Sequence, residues 1–231
     1  MEGNSHKSMK IIWRGQSCFQ LIGATKKGDK PISVVIDPFS EDIGFKLPKM
    51  EADILLVTHD HFDHNNVKGV SGVSGKPSFL INAAGEYDVG DVFIQGIPSW
   101  HDNAGGKERG GNIIFTLKME DLKICHLGDF GQKELSDKEL EDIGEVDILM
   151  IPVGGGSTIE AKDAAKIISL IEPKIAIPMH YDIPKIKAKL DGLDNFLRLM
   201  GKKDIQPQDK LAVKAKDLSE EGFQIVVLNQ N

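Results

Sequence analysis

The chain has 231 residues, two cysteines, 40% apolar and 27% charged residues and a formal net charge of −7, the size and balance of one folded domain that buries its core without disulfides. That acidity works against the positive face needed to grip a polyphosphate, so a nucleic-acid partner is disfavoured. No run reaches the roughly 18 to 20 apolar residues of a membrane helix and no apolar leader opens the chain, so the expected location is the cytoplasm, with no membrane partner.

Residues 1–8 are polar and patternless and read as a tag remnant or disordered tail, with His6 set aside as a ligand. One domain is expected over residues 9–231. Short β-rich runs then follow at 10–13, 18–22, 33–37, 54–58, 78–81, 89–97 and 112–119, punctuated by glycine and aspartate. Beyond them, strand-like runs at 122–126, 146–152 and 174–178 alternate with helical periodicity. Ser136-Asp-Lys-Glu139 is a capping box that opens a short helix. Residues 160–172 carry Ala164, Ile167, Ile168 and Ile171 on one face before Pro173 stops the helix, a third helix covers 193–200, and 223–228 reads as a closing strand. Ile54-Leu-Leu-Val57 and Ile148-Leu-Met-Ile151 are continuous apolar runs, as in strands covered on both faces. The expected fold is therefore α/β, with two mixed sheets between helical layers. Cys18 and Cys125 read as reduced core residues.

The chemistry concentrates after one of those runs. Thr58-His-Asp-His-Phe-Asp-His64 places three imidazoles and two carboxylates within six residues, where a strand must turn. His59 and His61 can converge on one point while Asp63 and His64 face a second, an arrangement suited to two metals. Imidazole with some carboxylate is a donor set for zinc and its neighbours. Three later residues each follow an apolar run and supply the remaining candidates: His101, Asp129 and His180. A carboxylate can offer one oxygen to each of two cations, which makes Asp129 the candidate bridge.

These residues resemble the metallo-β-lactamase superfamily from about Met9 onward, through the ordered series His59-x-His61-x-Asp63-His64, His101, Asp129 and His180. Thr58-His-Asp-His-Phe-Asp-His64, Cys125-His-Leu-Gly-Asp129 and Ile177-Pro-Met-His-Tyr181 are most similar to its compact branch, which includes ascorbate-6-phosphate lactonase and other metal-dependent hydrolases. The resemblance implies a four-layer αββα sandwich with the metals at one edge. It assigns His59, His61 and His101 to a first metal and Asp63, His64 and His180 to a second, with Asp129 between. It also places Asp37 behind the metal loop as a support, where a plain strand-end cap is the alternative. The β-lactamases proper carry a cysteine where this chain has Asp129, which argues against antibiotic hydrolysis.

The expected activity is hydrolysis of a lactone, ester or phosphodiester in a small, anionic metabolite, by a hydroxide held between two divalent ions, zinc or manganese. Asp63, Asp129 and His126 are the candidate catalytic residues; His126 reads equally as a satisfied structural histidine. Lys107 and Arg109, on the glycine-rich loop near His101, and Tyr181 are the candidate substrate contacts. Gly154-Gly-Gly-Ser-Thr158 could present N–H groups to an anion, against the simpler reading of a tight strand-to-helix turn. Metal-dependent cleavage of RNA or DNA, an iron-loaded oxidoreductase and a non-catalytic metal-binding module are the rival functions. A homo-oligomer is left open.

Overall fold

The computed structural model describes residues 8–25, 30–218 and 222–231; residues 1–7, most of the expected tail and His6 with it, lie outside the described residues. Among the described residues, fifteen strands and three α-helices follow in chain order. The first half holds β1 (Met9–Gly15), β2 (Cys18–Ala24), β3 (Pro31–Ile36), β4 (Met50–Ala52), β5 (Ile54–Leu56), β6 (Val70–Gly72), β7 (Phe79–Ile81), β8 (Gly85–Val89), β9 (Val92–Trp100) and β10 (Gly111–Met119). The second holds β11 (Leu122–His126), α1 (Asp137–Ile143), β12 (Ile148–Pro152), α2 (Ala161–Ile171), β13 (Ile175–Met179), α3 (Leu193–Leu199), β14 (Leu211–Val213) and β15 (Gln224–Ile225).

One sheet has the order β14-β1-β2-β3-β5-β7 and a second the order β15-β13-β12-β11-β10-β9-β8. Each is antiparallel on one side and parallel on the other: β3, β5 and β7 run together in the first, and β11, β12, β13 and β15 in the second. The carboxyl ends of parallel strands are where open sheets collect ligands, and Asp37, His59, Asp129 and His180 each follow the end of such a strand.

Alternation along β3 and β5 sets the layers. Val34, Ile36, Ile54 and Leu56 face the main core between the sheets. Val35 and Leu55 point the other way, into a smaller cluster with Cys18, Phe39, Ile43, Met50, Ala52 and Val70. Among the described residues the cover over that outer face is built from 3-10 turns at Glu41–Ile43 and Val67–Gly69 and the two-stranded β4–β6 sheet rather than from α-helices. The α-helices serve the second sheet, where α2 packs on β12 and on α3. Ser136 and Glu139 form the expected capping box of α1. The run expected at 89–97 is strand over residues 92–97, in β9, but its start is a tight turn: Gly90 and Asp91 both have positive φ (58° and 69°), turning β8 into β9. Both cysteines are buried and free. Among the described residues no helix is long and apolar enough to cross a membrane.

Candidate metal centre

The seven candidate ligands come together in two groups. His59, His61 and His101 form one, and Asp63, His64, Asp129 and His180 the other, with the potential ligand atoms of each within 4.8 Å of one another. Asp129 joins them: its Oδ2 lies 3.3 Å from His64 Nε2, 3.2 Å from His180 Nε2 and 3.5 Å from His101 Nε2.

Several of the candidate ligands are aimed by groups behind them. Asp37 is fully buried at a φ of 49°, a left-handed backbone that aspartate tolerates better than most residues. Its Oδ1 accepts from Thr58 N at 2.8 Å, and its Oδ2 accepts from Thr58 Oγ1 at 2.7 Å. The same Oδ2 faces His64 Nδ1 at 3.0 Å. A carboxylate only accepts, so His64 Nδ1 carries a proton and Nε2 is the nitrogen turned inward toward the other candidate ligands. Asp37 is thus both a cap for Thr58 and the support for His64. Thr58 Oγ1 in turn lies 3.0 Å from His59 Nδ1. Because that hydroxyl gives its proton to Asp37, His59 Nδ1–H donates to it and His59 Nε2 is left as the free acceptor. Asp129 is held by Ser17 Oγ on Oδ1 (3.1 Å) and by Asn112 Oδ1 on its main-chain N–H (3.0 Å). Gly154 N–H donates to His180 O at 3.0 Å, and a Cβ on Gly154 would stand 2.3 Å from that oxygen, so only glycine fits against the ligand's backbone. Gly154 and Gly155 N–H groups are both bonded to main-chain carbonyls, as in a tight strand-to-helix turn.

The donor set fits a metal. Nε2 of His59 and His64, Nδ1 of His101 and both ring nitrogens of His180 are buried with no hydrogen-bond partner, a density of unpaired polar atoms that a folded chain rarely tolerates without a ligand. Burial, reinforced by the charge of His64, pushes His59 down to about 3, and burial likewise lowers His101. Both are therefore neutral ligands at physiological pH. Burial opposes the charged forms of His64 and Asp129, yet Asp129 and Asp37 hold His64 well above its ordinary value, while His180 and His64 hold Asp129 well below.

Of the remaining candidates, His126 lies outside both groups. Its Nε2 donates to Ser17 O (2.9 Å) and its Nδ1 accepts from Gly128 N (3.1 Å); with both nitrogens engaged by backbone, it is a structural histidine that ties the β1–β2 turn to the loop carrying Asp129. Tyr181 is buried against Trp13, ring centroids 5.1 Å apart, rather than lining open space. Lys107 and Arg109 are exposed on a loop whose main chain is bound by buried Asp102, which accepts from the N–H groups of Ala104, Gly106, Glu108 and Arg109. Gln16, Ser17 and Asn112 support the site and carried no sequence signal, because each acts through a partner distant in the chain. Thr58, which opens the histidine loop and contacts His59 next to it, was within reach.

A family model described as a β-lactamase superfamily domain matches residues 10–180. The chain is 30% identical over 222 residues to a metal-dependent hydrolase of Pyrococcus abyssi, covering 84% of this chain and 93% of the relative. The chain belongs to the metallo-β-lactamase superfamily. Within it, the chain falls among the metal-dependent hydrolases grouped as UPF0173: a Thermococcus kodakarensis member is 30% identical over 88% of this chain and 99% of its own length. A solved candidate zinc-dependent hydrolase of the superfamily from Thermotoga maritima is 32% identical, with a TM-score of 0.73 over 95% of this chain and 98% of that one. A metal-dependent hydrolase structure from Parabacteroides distasonis, at 20% identity and a TM-score of 0.63, shares the fold.

Proposed function

We propose that the chain hydrolyses a lactone, ester or phosphodiester bond in a small anionic metabolite with two divalent ions, zinc or manganese. His59, His61 and His101 would hold one ion and Asp63, His64 and His180 the other, with Asp129 between them. The observation that carries this reading is Asp129 Oδ2, which borders imidazoles of both groups within 3.5 Å. When bound, such a pair acidifies a water and polarises a carbonyl or phosphoryl oxygen. The protein's own contribution is orientation and charge. Asp37, Thr58, Ser17 and Asn112 fix the ligands before substrate arrives, so little reorganisation accompanies the reaction. The Asp63 side chain keeps 21% of its surface exposed against 0–2% for His64, Asp129 and His180, which makes it the carboxylate placed to take a proton from an arriving water.

The anionic substrate class is supported by Arg109 and Lys107, two exposed cations on the Asp102-bound loop that follows His101. With a net charge of −7 over the whole chain, two local cations suit a small anion better than a nucleic-acid strand. Phe62 and Trp100, 58% and 46% exposed beside the ligands His61, Asp63 and His101, can wall the substrate. The test is a panel of lactones, simple phosphodiesters and oligonucleotides offered to chelator-stripped protein with and without zinc or manganese. Metal-restored turnover of a small ester or phosphodiester supports the proposal; turnover of oligonucleotides alone, or equal turnover without metal, refutes it.

A further inference from the structure

The turn between β1 and β2 is remote from every ligand in sequence, yet it reaches three of them. Ser17 holds Asp129, as above. Gln16, 1% exposed and at a left-handed φ of 53°, donates through Nε2 to Asp63 Oδ2 at 3.1 Å. Its main-chain oxygen accepts from His180 N at 3.1 Å and from Trp13 Nε1 at 2.9 Å. Asp63 can only accept, which fixes the amide with Nε2 toward it and leaves Oε1 as the outward acceptor. That Oε1 is buried and has no partner, and among the described residues it is the one buried side-chain oxygen in that state.

His180 presents the complementary deficit. Its Nε2 stands 3.2 Å from Asp129 Oδ2 with the other ligand atoms of the second group, and its Nδ1 is buried without a partner. An imidazole that gives Nε2 to a metal carries a proton on Nδ1, and such a proton is normally donated to a fixed acceptor. His64 and His59 already have theirs, in Asp37 and Thr58. A buried acceptor without a donor and a prospective donor without an acceptor therefore sit on two residues already joined by the His180 N to Gln16 O bond.

We propose that Gln16 is a positioning residue for the second ion, donating to Asp63 through Nε2 and, when the ion binds, accepting the Nδ1–H of His180 through Oε1. This rests on the two-ion reading above. The main-chain bond keeps the two residues side by side; Gln16 Oε1 and His180 Nδ1 are both unpartnered without the ion, so the bond between them is one that forms with ion binding.

The experiment combines zinc titration against a competing chelator with imidazole ¹⁵N–H spectra of zinc-loaded protein, for the wild type, Gln16→Leu and Gln16→Glu. In the wild type, His180 Nδ1–H should give a resonance that exchanges slowly with water. Gln16→Leu, which lacks both amide atoms, should lose that resonance and bind one zinc equivalent about 10- to 100-fold more weakly with the other unchanged. Gln16→Glu keeps an acceptor and should keep the resonance. Unchanged affinity for both equivalents in Gln16→Leu, or a His180 N–H that exchanges equally fast in wild type and Gln16→Glu and Gln16→Leu, overturns the assignment. If Gln16→Leu fails to fold, fast exchange in the wild type still refutes the proposal and slow exchange retained in Gln16→Glu upholds it. Wild-type protein that takes up a single ion would refute the two-ion reading, whereas the His180 resonance would still decide the role of Gln16.

Discussion

Asp37→Asn changes one atom of a buried carboxylate and should disable the candidate ligand that hydrogen-bonds to it. Asp37 accepts three bonds, from Thr58 N, Thr58 Oγ1 and His64 Nδ1, and an amide has one oxygen to offer them. If that oxygen keeps Thr58 N–H, the new NH₂ group faces His64 Nδ1 and forces its proton onto Nε2, where the lone pair for the metal is needed. If the amide turns over, NH₂ confronts the Thr58 N–H instead, and a buried donor pair is left unpaired at about 1–3 kcal/mol. Loss of such a support typically weakens metal binding about 10- to 100-fold, or about 1.4–2.7 kcal/mol. Without metal, the lost charge-assisted bonds should cost about 1.5–3 kcal/mol of stability. Chelator-competition titration with zinc measures the first effect, and urea unfolding of chelator-treated protein the second. Wild-type zinc affinity in a folded Asp37→Asn protein would refute the inference that Asp37 sets the His64 tautomer.

Metal-free protein should be most stable near pH 6–7. His59 has its folded pKa depressed to about 3, so only the unfolded chain takes up this proton between about 6.5 and 3, and stability falls toward acid by up to about 1.4 kcal/mol per pH unit. His64 is shifted upward, so its contribution is complete below about 6.5 and fades as pH rises through the raised value; urea midpoints across pH test both limbs. His126→Phe should fold less stably by about 2–5 kcal/mol, because Ser17 O and Gly128 N–H lose their partner, while the shape of the pH–rate profile stays the same; a lost titration limb would make His126 a proton-transfer group after all. Gly131→Ala would put a Cβ 2.3 Å from the His101 carbonyl carbon and should cost about 1–3 kcal/mol or more, with first-ion affinity reduced; a wild-type melting temperature contradicts this. Arg109→Ala should raise KM for an anionic substrate with kcat little changed, and equal losses on a neutral ester analogue would remove Arg109 from anion recognition.

What the sequence made legible was what lies close together along it. The loop 58–64 carries four candidate ligands after one apolar strand, and His101, Asp129 and His180 each follow strands of the second sheet, so local pattern and chain order sufficed to pick out the residues that the fold brings together. The continuous runs in β5 and β12 correctly implied strands covered on both faces. What was hidden depends on contacts across the sandwich. Gln16 meets Asp63 and Ser17 meets Asp129 over 47 and 112 residues, and an uncharged side chain in a turn gives no hint of such a partner. His126 looked like chemistry because it stands three residues before Asp129, but its ring is spent on backbone. Strands β4, β6 and β14, three residues each, are too short for alternation to reveal them.

The proposed chemistry needs two cations sharing Asp129, and anomalous diffraction from crystals of zinc-loaded protein tests this most directly. Two peaks are expected, one among His59, His61 and His101 and one among Asp63, His64 and His180, each in contact with Asp129. A single peak, or a pair in which Asp129 touches neither ion, would contradict it.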